Sequence, residues 1–234
     1  MIERSELLTS VVETAAGHHQ DSLNSPISER SDIGRVRTYH PTESAVFRKT
    51  NERFGGLSNM APGFPLVVNN TRIRTSEALY QACRFPGRPD VQRQIIADRS
   101  PMTAKVRSKP FRSDTRPDWN SVRVQVMRWC LRAKLAQNWQ KFGDLLLSTG
   151  EASIVEKKVG HTDFWASTEQ PDGTLVGMNV LGRLLMELRE QLRGSEVEKL
   201  RSVEPLNIPD FLLFKQPIKR VQYIPNTELL LVNR

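Results

Sequence analysis

The chain has few of the features that build secreted, membrane-spanning or metal-dependent proteins. Cys83 and Cys130 are its only cysteines, and both fall in helical patterns. That argues against a disulfide framework and for a reducing compartment. No apolar run reaches the length of a bilayer span, and the charged opening Met1-Ile2-Glu3-Arg4-Ser5-Glu6 leads into no signal-peptide core. A cytoplasmic protein with no membrane partner is expected. Four histidines and two cysteines show no metal-ligand spacing, and His18-His19 sits in a polar stretch where it reads as solvated. There is no G-x-x-x-x-G-K-[ST] phosphate loop, no G-x-G-x-x-G and no G-x-S-x-G elbow. Zinc-finger and RNP patterns are absent too, as are internal repeats. Neither a metal nor a cofactor is expected.

What the chain does have is positive charge in one place. Its net charge is +8 over 234 residues. Between Arg72 and Lys141, 16 Lys and Arg face 5 Asp and Glu, a surplus of +11; the remainder holds 18 basic and 21 acidic residues, or −3. A field of this kind attracts phosphates, whether of a nucleotide, a nucleic acid or a phosphorylated metabolite. It is equally what a solvated basic face looks like.

Residues 1–43 are polar without sustained periodicity and read as a partly disordered arm. Leu66-Val67-Val68 and Thr71-Arg72-Ile73 flank Asn69-Asn70, a hairpin signature, because Asn tolerates the positive φ a two-residue turn needs. Helices are expected next. Thr75 or Ser76 caps one, Asp90 caps a second, Ser100-Pro101 opens a third and Pro117 a long fourth, in which Val122, Val126, Trp129 and Ala133 recur at helical spacing. Another, with Phe142 and Leu145 to Leu147, ends at Gly150. Ala152 to Val159 reads as a strand. A last helix carries Leu181, Leu184, Leu185, Leu188 and Leu192 on one side. Beyond Ser195 come four prolines and two apolar clusters, expected as extended segments that fold back on the domain or contact a partner.

One carboxylate stands out. In Thr75-Ser76-Glu77-Ala78-Leu79-Tyr80-Gln81 the helix places Glu77 and Gln81 one turn apart on a helix otherwise suited to burial. A buried carboxylate is costly without a partner or a task.

Seven segments in series resemble the NADAR family, also called YbiA-like. They are Phe54-Gly55-Gly56-Leu57-Ser58-Asn59, Thr75-Ser76-Glu77 with Tyr80-Gln81, Ser100-Pro101-Met102-Thr103-Ala104-Lys105, Arg116-Pro117-Asp118-Trp119, Leu131-Arg132-Ala133-Lys134-Leu135, Asp163-Phe164-Trp165, and Gly177-Met178-Asn179-Val180-Leu181-Gly182-Arg183-Leu184-Leu185-Met186. The match spans roughly residues 45–193. Arg84 and Ala166 depart from the commoner pattern, which has Lys and Gly there. The resemblance implies a mainly α-helical domain with a few short strands over residues 44–194, plus a C-terminal extension over 195–234. It implies hydrolysis of an N-glycosidic bond between ribose and a base: removal of ADP-ribose from guanine in nucleic acid or nucleotides, or cleavage of ribosyl-pyrimidine intermediates of riboflavin synthesis.

In that chemistry positive charge develops on the sugar, and Glu77 is the carboxylate expected to stabilise it or activate water. Lys105 is the second catalytic candidate. If neutral, it attacks the anomeric carbon and forms a Schiff base after ring opening; if charged, it binds phosphate. Lys134 is the rival lysine. Gln81, Ser58 and Asn59 are candidate ligands to ribose or phosphate. Trp119 and Trp165 are candidates to stack a base, worth roughly 1–3 kcal/mol, with a core role the alternative for Trp119. Asp163 orients a ribose hydroxyl or caps a helix, Asn179 is a pocket group or a cap, and Arg183 meets a phosphate or solvent. The expected substrate contains ADP-ribose, with DNA as the expected polymer. A binding-only alternative makes the chain an antitoxin or NAD sensor whose C-terminal extension contacts a cognate toxin or other protein.

Overall fold

A computed structural model of the chain describes residues 35–161 and 164–223. The organising element is a five-stranded sheet in the order β1-β7-β6-β5-β2. It comprises β1 (Arg37–Tyr39), β2 (Ser44–Phe47), β5 (Ser153–Lys158), β6 (Ser167–Glu169) and β7 (Leu175–Gly177). β2 runs parallel to β5, with Ala45 opposite Ile154, and β5 runs parallel to β6. β6–β7 and β7–β1 are antiparallel. A separate hairpin joins β3 (Leu66–Val68) to β4 (Thr71–Ile73). Its turn residues Asn69 and Asn70 take φ of 48° and 58°, as expected of that dipeptide.

The expectation of a mainly helical fold is corrected: 44% of the described residues are helical and 18% are strand, in a mixed α/β arrangement around this sheet. Ala45-Val46-Phe47 and Ala152 to Val159 read as strands from the sequence and form β2 and β5, whereas β1, β6 and β7 carry no such signal because each has only three residues. They are held by pairing across distant sequence rather than by alternation of their own. β1 lies within residues 1–43, which the sequence set apart as an arm, and its Tyr39 is buried against Val155 and Leu175.

Among the described residues, six α-helices complete the domain: α1 (Ser76–Ala82), α2 (Pro89–Ala97), α3 (Pro101–Ser108), α4 (Trp119–Gln137), α5 (Trp139–Leu147) and α6 (Val180–Arg193). Proline at the first position opens α2, so Asp90 is not its cap; the cap position is Arg88, which pairs with Asp90 at 2.8 Å. α4 begins at Trp119, two residues after Pro117. The Val122, Val126, Trp129 and Ala133 stripe is buried. The leucine face of α6 packs onto β5, with Leu181, Leu184, Leu185 and Leu188 all buried.

Residues 195–223 fold back onto the domain. β8 (Ser202–Val203) pairs with β11 (Val221–Gln222), and β9 (Leu212–Leu213) pairs with β10 (Gln216–Pro217). Val203, Phe211, Leu213, Ile218 and Val221 are buried in the main core. Trp129 Nε1 donates to the Glu204 carbonyl at 2.8 Å, and its ring meets Phe211 edge-on at 5.0 Å.

The entry to α6 depends on one residue without a side chain. Asn179 precedes the helix at φ 47°. It accepts from Glu156 N at 3.1 Å through Oδ1 and donates to the Ile154 carbonyl at 2.8 Å through Nδ2. A Cβ at Gly182 would collide with that carbonyl and with the Asn179 amide. Gly182→Ala is therefore expected to destabilise the fold by on the order of 3 kcal/mol, read as a fall in the urea midpoint.

Candidate active site

The first turn of α1 is pinned from two sides. Thr75 Oγ1 caps the helix by accepting from Ala78 N at 3.3 Å. Asn59, at the end of the Gly55-containing loop, accepts from Glu77 N at 3.0 Å through its carbonyl and from Ser76 Oγ at 3.0 Å through Oδ1. Every side chain of α1 is buried.

Glu77 is 6% exposed. Its Oε1 accepts from Gln81 Nε2 at 2.8 Å. It forms no ion pair, and Oε2 has no hydrogen bond among the described residues. Burial pushes the carboxyl pKa up; the Gln81 hydrogen bond and the charges of Lys105 and Arg84 offset part of that rise. Gln81 is oriented in turn. Its Oε1 accepts from Arg84 Nη1 at 3.1 Å and from Ser108 Oγ at 3.3 Å. A guanidinium can only donate, so the amide oxygen faces Arg84 and the amide N–H is left for Glu77.

Beside the carboxylate stands a tier of aromatic rings. Tyr80 lies 5.0 Å from Trp119 and 5.6 Å from Trp165, which meets Phe164 edge-on at 5.0 Å. Trp119, Trp165 and Phe164 are half-buried. Arg84 sits 5.4 Å from the Trp119 ring centroid and Arg123 sits 3.8 Å from that of Phe164. Each of these arginines keeps a buried Nε without a hydrogen-bond partner. Burial, followed by the nearby Glu77 charge, raises the Tyr80 phenol pKa, so the phenol stays protonated. The site thus offers a desolvated carboxylate, flat apolar surfaces and guanidinium groups within one small region.

Lys105 is exposed on α3, which packs on α1, and its charge reaches Glu77. Lys134 is different. It is fully buried, donates to the carbonyls of Gly56 at 2.7 Å and Ser58 at 3.0 Å, and lies between the rings of Phe64 and Phe142. Burial drives its pKa well below the usual lysine value. An amine so enclosed is out of reach of a substrate and holds the loop instead. The Cβ space at Gly55 is filled by the backbone of Lys49 and Thr50, so that glycine closes the protein's own loop.

Of the other expected site residues, Ser58 and Asn59 are buried and bonded within the loop and to α1. Asn179 occupies the N-cap position of α6, where its carbonyl accepts from Arg183 N at 3.0 Å, while its buried side chain ties the helix to β5 instead of capping it. Arg183 is half-buried and reaches the Arg35 carbonyl at 3.5 Å. Asp163 lies outside the described residues. The sequence does not mark Tyr80, Ser108, Arg123 or Phe164 as site residues, nor Thr115, whose Oγ1 accepts from Arg84 Nη2 at 3.2 Å. The i, i+3, i+4, i+7 relation of Glu77, Tyr80, Gln81 and Arg84 carried a signal for Tyr80 and Arg84; nothing in the sequence tied Ser108 or Arg123 to them. Among the described residues no group of His, Cys, Asp or Glu is placed to hold a metal ion, and no helix is long and apolar enough to cross a membrane.

The NADAR domain family model matches residues 46–193. The chain is 39% identical over 165 residues to the N-glycosidase YbiA of Escherichia coli, covering 67% of this chain and 94% of that protein. It is 33% identical over 159 residues to a riboflavin biosynthesis protein of Vibrio vulnificus, covering 68% of this chain and 41% of that protein. The NMR structure of Escherichia coli YbiA superposes with a TM-score of 0.56 at 34% identity, over 68% of this chain and 88% of that one. The chain belongs to the NADAR domain family.

The raised Glu77 pKa fixes the sign of a stability test. The unfolded chain releases this proton near pH 4.5 and the folded protein releases it only at higher pH. Between those values the folded state holds more protons, so rising pH destabilises it. Glu77→Gln removes the charge and keeps the bond from Gln81. Its Tm is expected to exceed the wild-type value at pH 8, with the gap closing toward pH 4.

Proposed function

We propose that the chain is an N-glycosidase that removes ADP-ribose from guanine, with DNA as the carrier. It is a hydrolase of N-glycosyl compounds, as its family is; the substrate is the finer reading. The observation that carries it is Glu77, a desolvated carboxylate with only one oxygen engaged. In the proposed reaction the bond from ribose C1″ to the guanine nitrogen breaks and its electron pair leaves with the base. Positive charge gathers on the ribose, and the Glu77 carboxylate stabilises it and takes the proton of the water whose oxygen bonds to C1″. Gln81 acts as a positioning residue by fixing the carboxylate. The half-buried Trp119 and Trp165, backed by Tyr80, give a base somewhere to stack. Arg84 and the exposed Lys105 put positive charge near Glu77, which favours a substrate that carries a pyrophosphate. The surplus of +11 between Arg72 and Lys141 supports a polymer over a small metabolite.

Mass spectrometry of an ADP-ribosylated guanine oligonucleotide provides the test. The wild type is expected to remove the adduct mass and Glu77→Gln to lose at least about a hundredfold in rate. The acid limb of the rate should lie above the ordinary carboxylate range, because the working form is ionised and burial raises its pKa. An intact adduct, together with cleavage of a ribosyl-aminopyrimidine phosphate, would transfer the assignment to the riboflavin-pathway reading. If Lys105 serves as a cation, Lys105→Arg keeps most of the rate. A collapse of the rate, with a borohydride-trapped adduct on Lys105, would put amine chemistry in its place.

A further inference from the structure

We propose that a cleft outside the Glu77 site binds the sugar-phosphate backbone of a single-stranded nucleic acid. The cleft encloses about 360 Å³ and is lined by Arg72, Arg74, Arg93, Ile96, Ala97 and Phe214. The inference rests on the reading above that the substrate is a polymer.

Arg72 and Arg74 flank the buried Ile73, so both emerge on the solvent side at the end of β4, about 6.6 Å apart along the chain. Arg93 faces them from the exposed side of α2. None of the three forms an ion pair among the described residues. The acidic groups that could have neutralised them are engaged elsewhere: Asp90 and Asp114 pair with Arg88, Asp98 with Arg107, and Asp118 with Arg116. Three converging guanidinium groups repel one another, and a bound anion relieves that repulsion.

The other wall is built by the C-terminal hairpin. Phe214 lies with Arg93 5.3 Å from its ring centroid. Phe214 and Lys215 occupy the β9–β10 turn at φ 53° and 65°, a conformation bulky side chains rarely adopt. The fully buried Gln92 holds it there. Gln92 Oε1 accepts from Phe214 N at 2.7 Å, and Nε2 donates to the carbonyls of Leu212 at 3.0 Å and Ala82 at 3.1 Å. Phe214 lies beyond the family match at residues 46–193, so this wall is an addition to the common domain. An aromatic ring beside unpaired arginines is the chemistry that binds single strands without reading sequence.

Position ties the cleft to the chemistry. Arg74 precedes Glu77 by three residues, so their Cα atoms lie within about 10 Å. A guanine presented to a buried carboxylate has to leave its stack, and the phosphates flanking it then pass the arginines.

Fluorescence anisotropy with a labelled, unmodified oligothymidine tests the proposal on the full chain. Arg72→Gln/Arg74→Gln/Arg93→Gln is expected to weaken binding at least about tenfold and to flatten the slope of log K against log salt by about 2, as loss of three single-strand phosphate contacts requires. Hydrolysis of an ADP-ribosylated guanosine mononucleotide should be unchanged. If the triple variant melts early, Arg72→Glu alone should still weaken binding. Unchanged affinity and slope would overturn the proposal, as would absence of binding by the wild type. Displacement of the oligonucleotide by polyglutamate at equal charge would assign the cleft to an acidic polypeptide and overturn it too. Tight, arginine-dependent binding by a protein that hydrolyses no ADP-ribosyl-guanine would leave the cleft standing and remove the substrate assignment.

Discussion

Holding a carboxylate out of water is expensive, and much of the fold around α1 exists to make that tolerable at Glu77. A direct arginine partner would have lowered the cost, but it would also have lowered the pKa and occupied both oxygens. Here the opposing charges act from a distance. Arg84 works through Gln81, and Lys105 stands on α3. A single neutral amide touches the carboxylate, so one oxygen is committed and the other is available to a ligand. The burial of Glu77 costs stability, which the rest of the domain makes up.

A second buried ionisable group anchors the loop that holds α1. Lys134 on α4 grips the carbonyls of Gly56 and Ser58 between two aromatic rings. The next residue in that loop, Asn59, holds Ser76 and the backbone of Glu77. A continuous set of bonds therefore runs from α4 through the glycine loop to the backbone of Glu77. A hydrophobic side chain at 134 would pack between Phe64 and Phe142 but would leave those carbonyls unsatisfied. The burial that shifts Lys134 is thus structural in purpose, although the same shift on an accessible amine would mark a nucleophile. Accessibility separates the two lysines: Lys134 is enclosed and Lys105 is exposed.

The sequence was informative wherever a local rule decides the outcome. The Asn69-Asn70 turn, the caps at Thr75 and Ser100 and the stripe on α4 follow from neighbours within a few residues, and so does the Glu77–Gln81 pair. It was silent where partners are distant. β2 and β5 pair although about a hundred residues separate them, and no alternation in Ser167–Glu169 announces β6. The side chains around Glu77 show the same division. Gln81 comes from the same helix, whereas Ser108 arrives from α3 and Arg123 from α4. Asn179 and Ser58 belong to matching segments yet serve the scaffold, because a segment that resembles a family carries its framework residues along with its reactive ones.

The basic surplus also changes meaning once the structure sorts it. Lys134 is enclosed, Arg84 is half-buried, and Arg88, Arg107, Arg116 and Arg128 are matched by carboxylates. Exposed charge that still acts at a distance includes Lys105 on α3 and the trio of Arg72, Arg74 and Arg93. Their elements all adjoin α1: β4 leads into it, while α2 and α3 pack on it. What composition presents as a diffuse basic face is therefore concentrated around the helix that carries Glu77. A mononucleotide needs charge only where its own phosphates lie. Charge continuing past the site and completed by a hairpin outside the common domain suits a ligand that itself continues, so the role proposed for the extension and the proposed polymeric substrate belong to one argument.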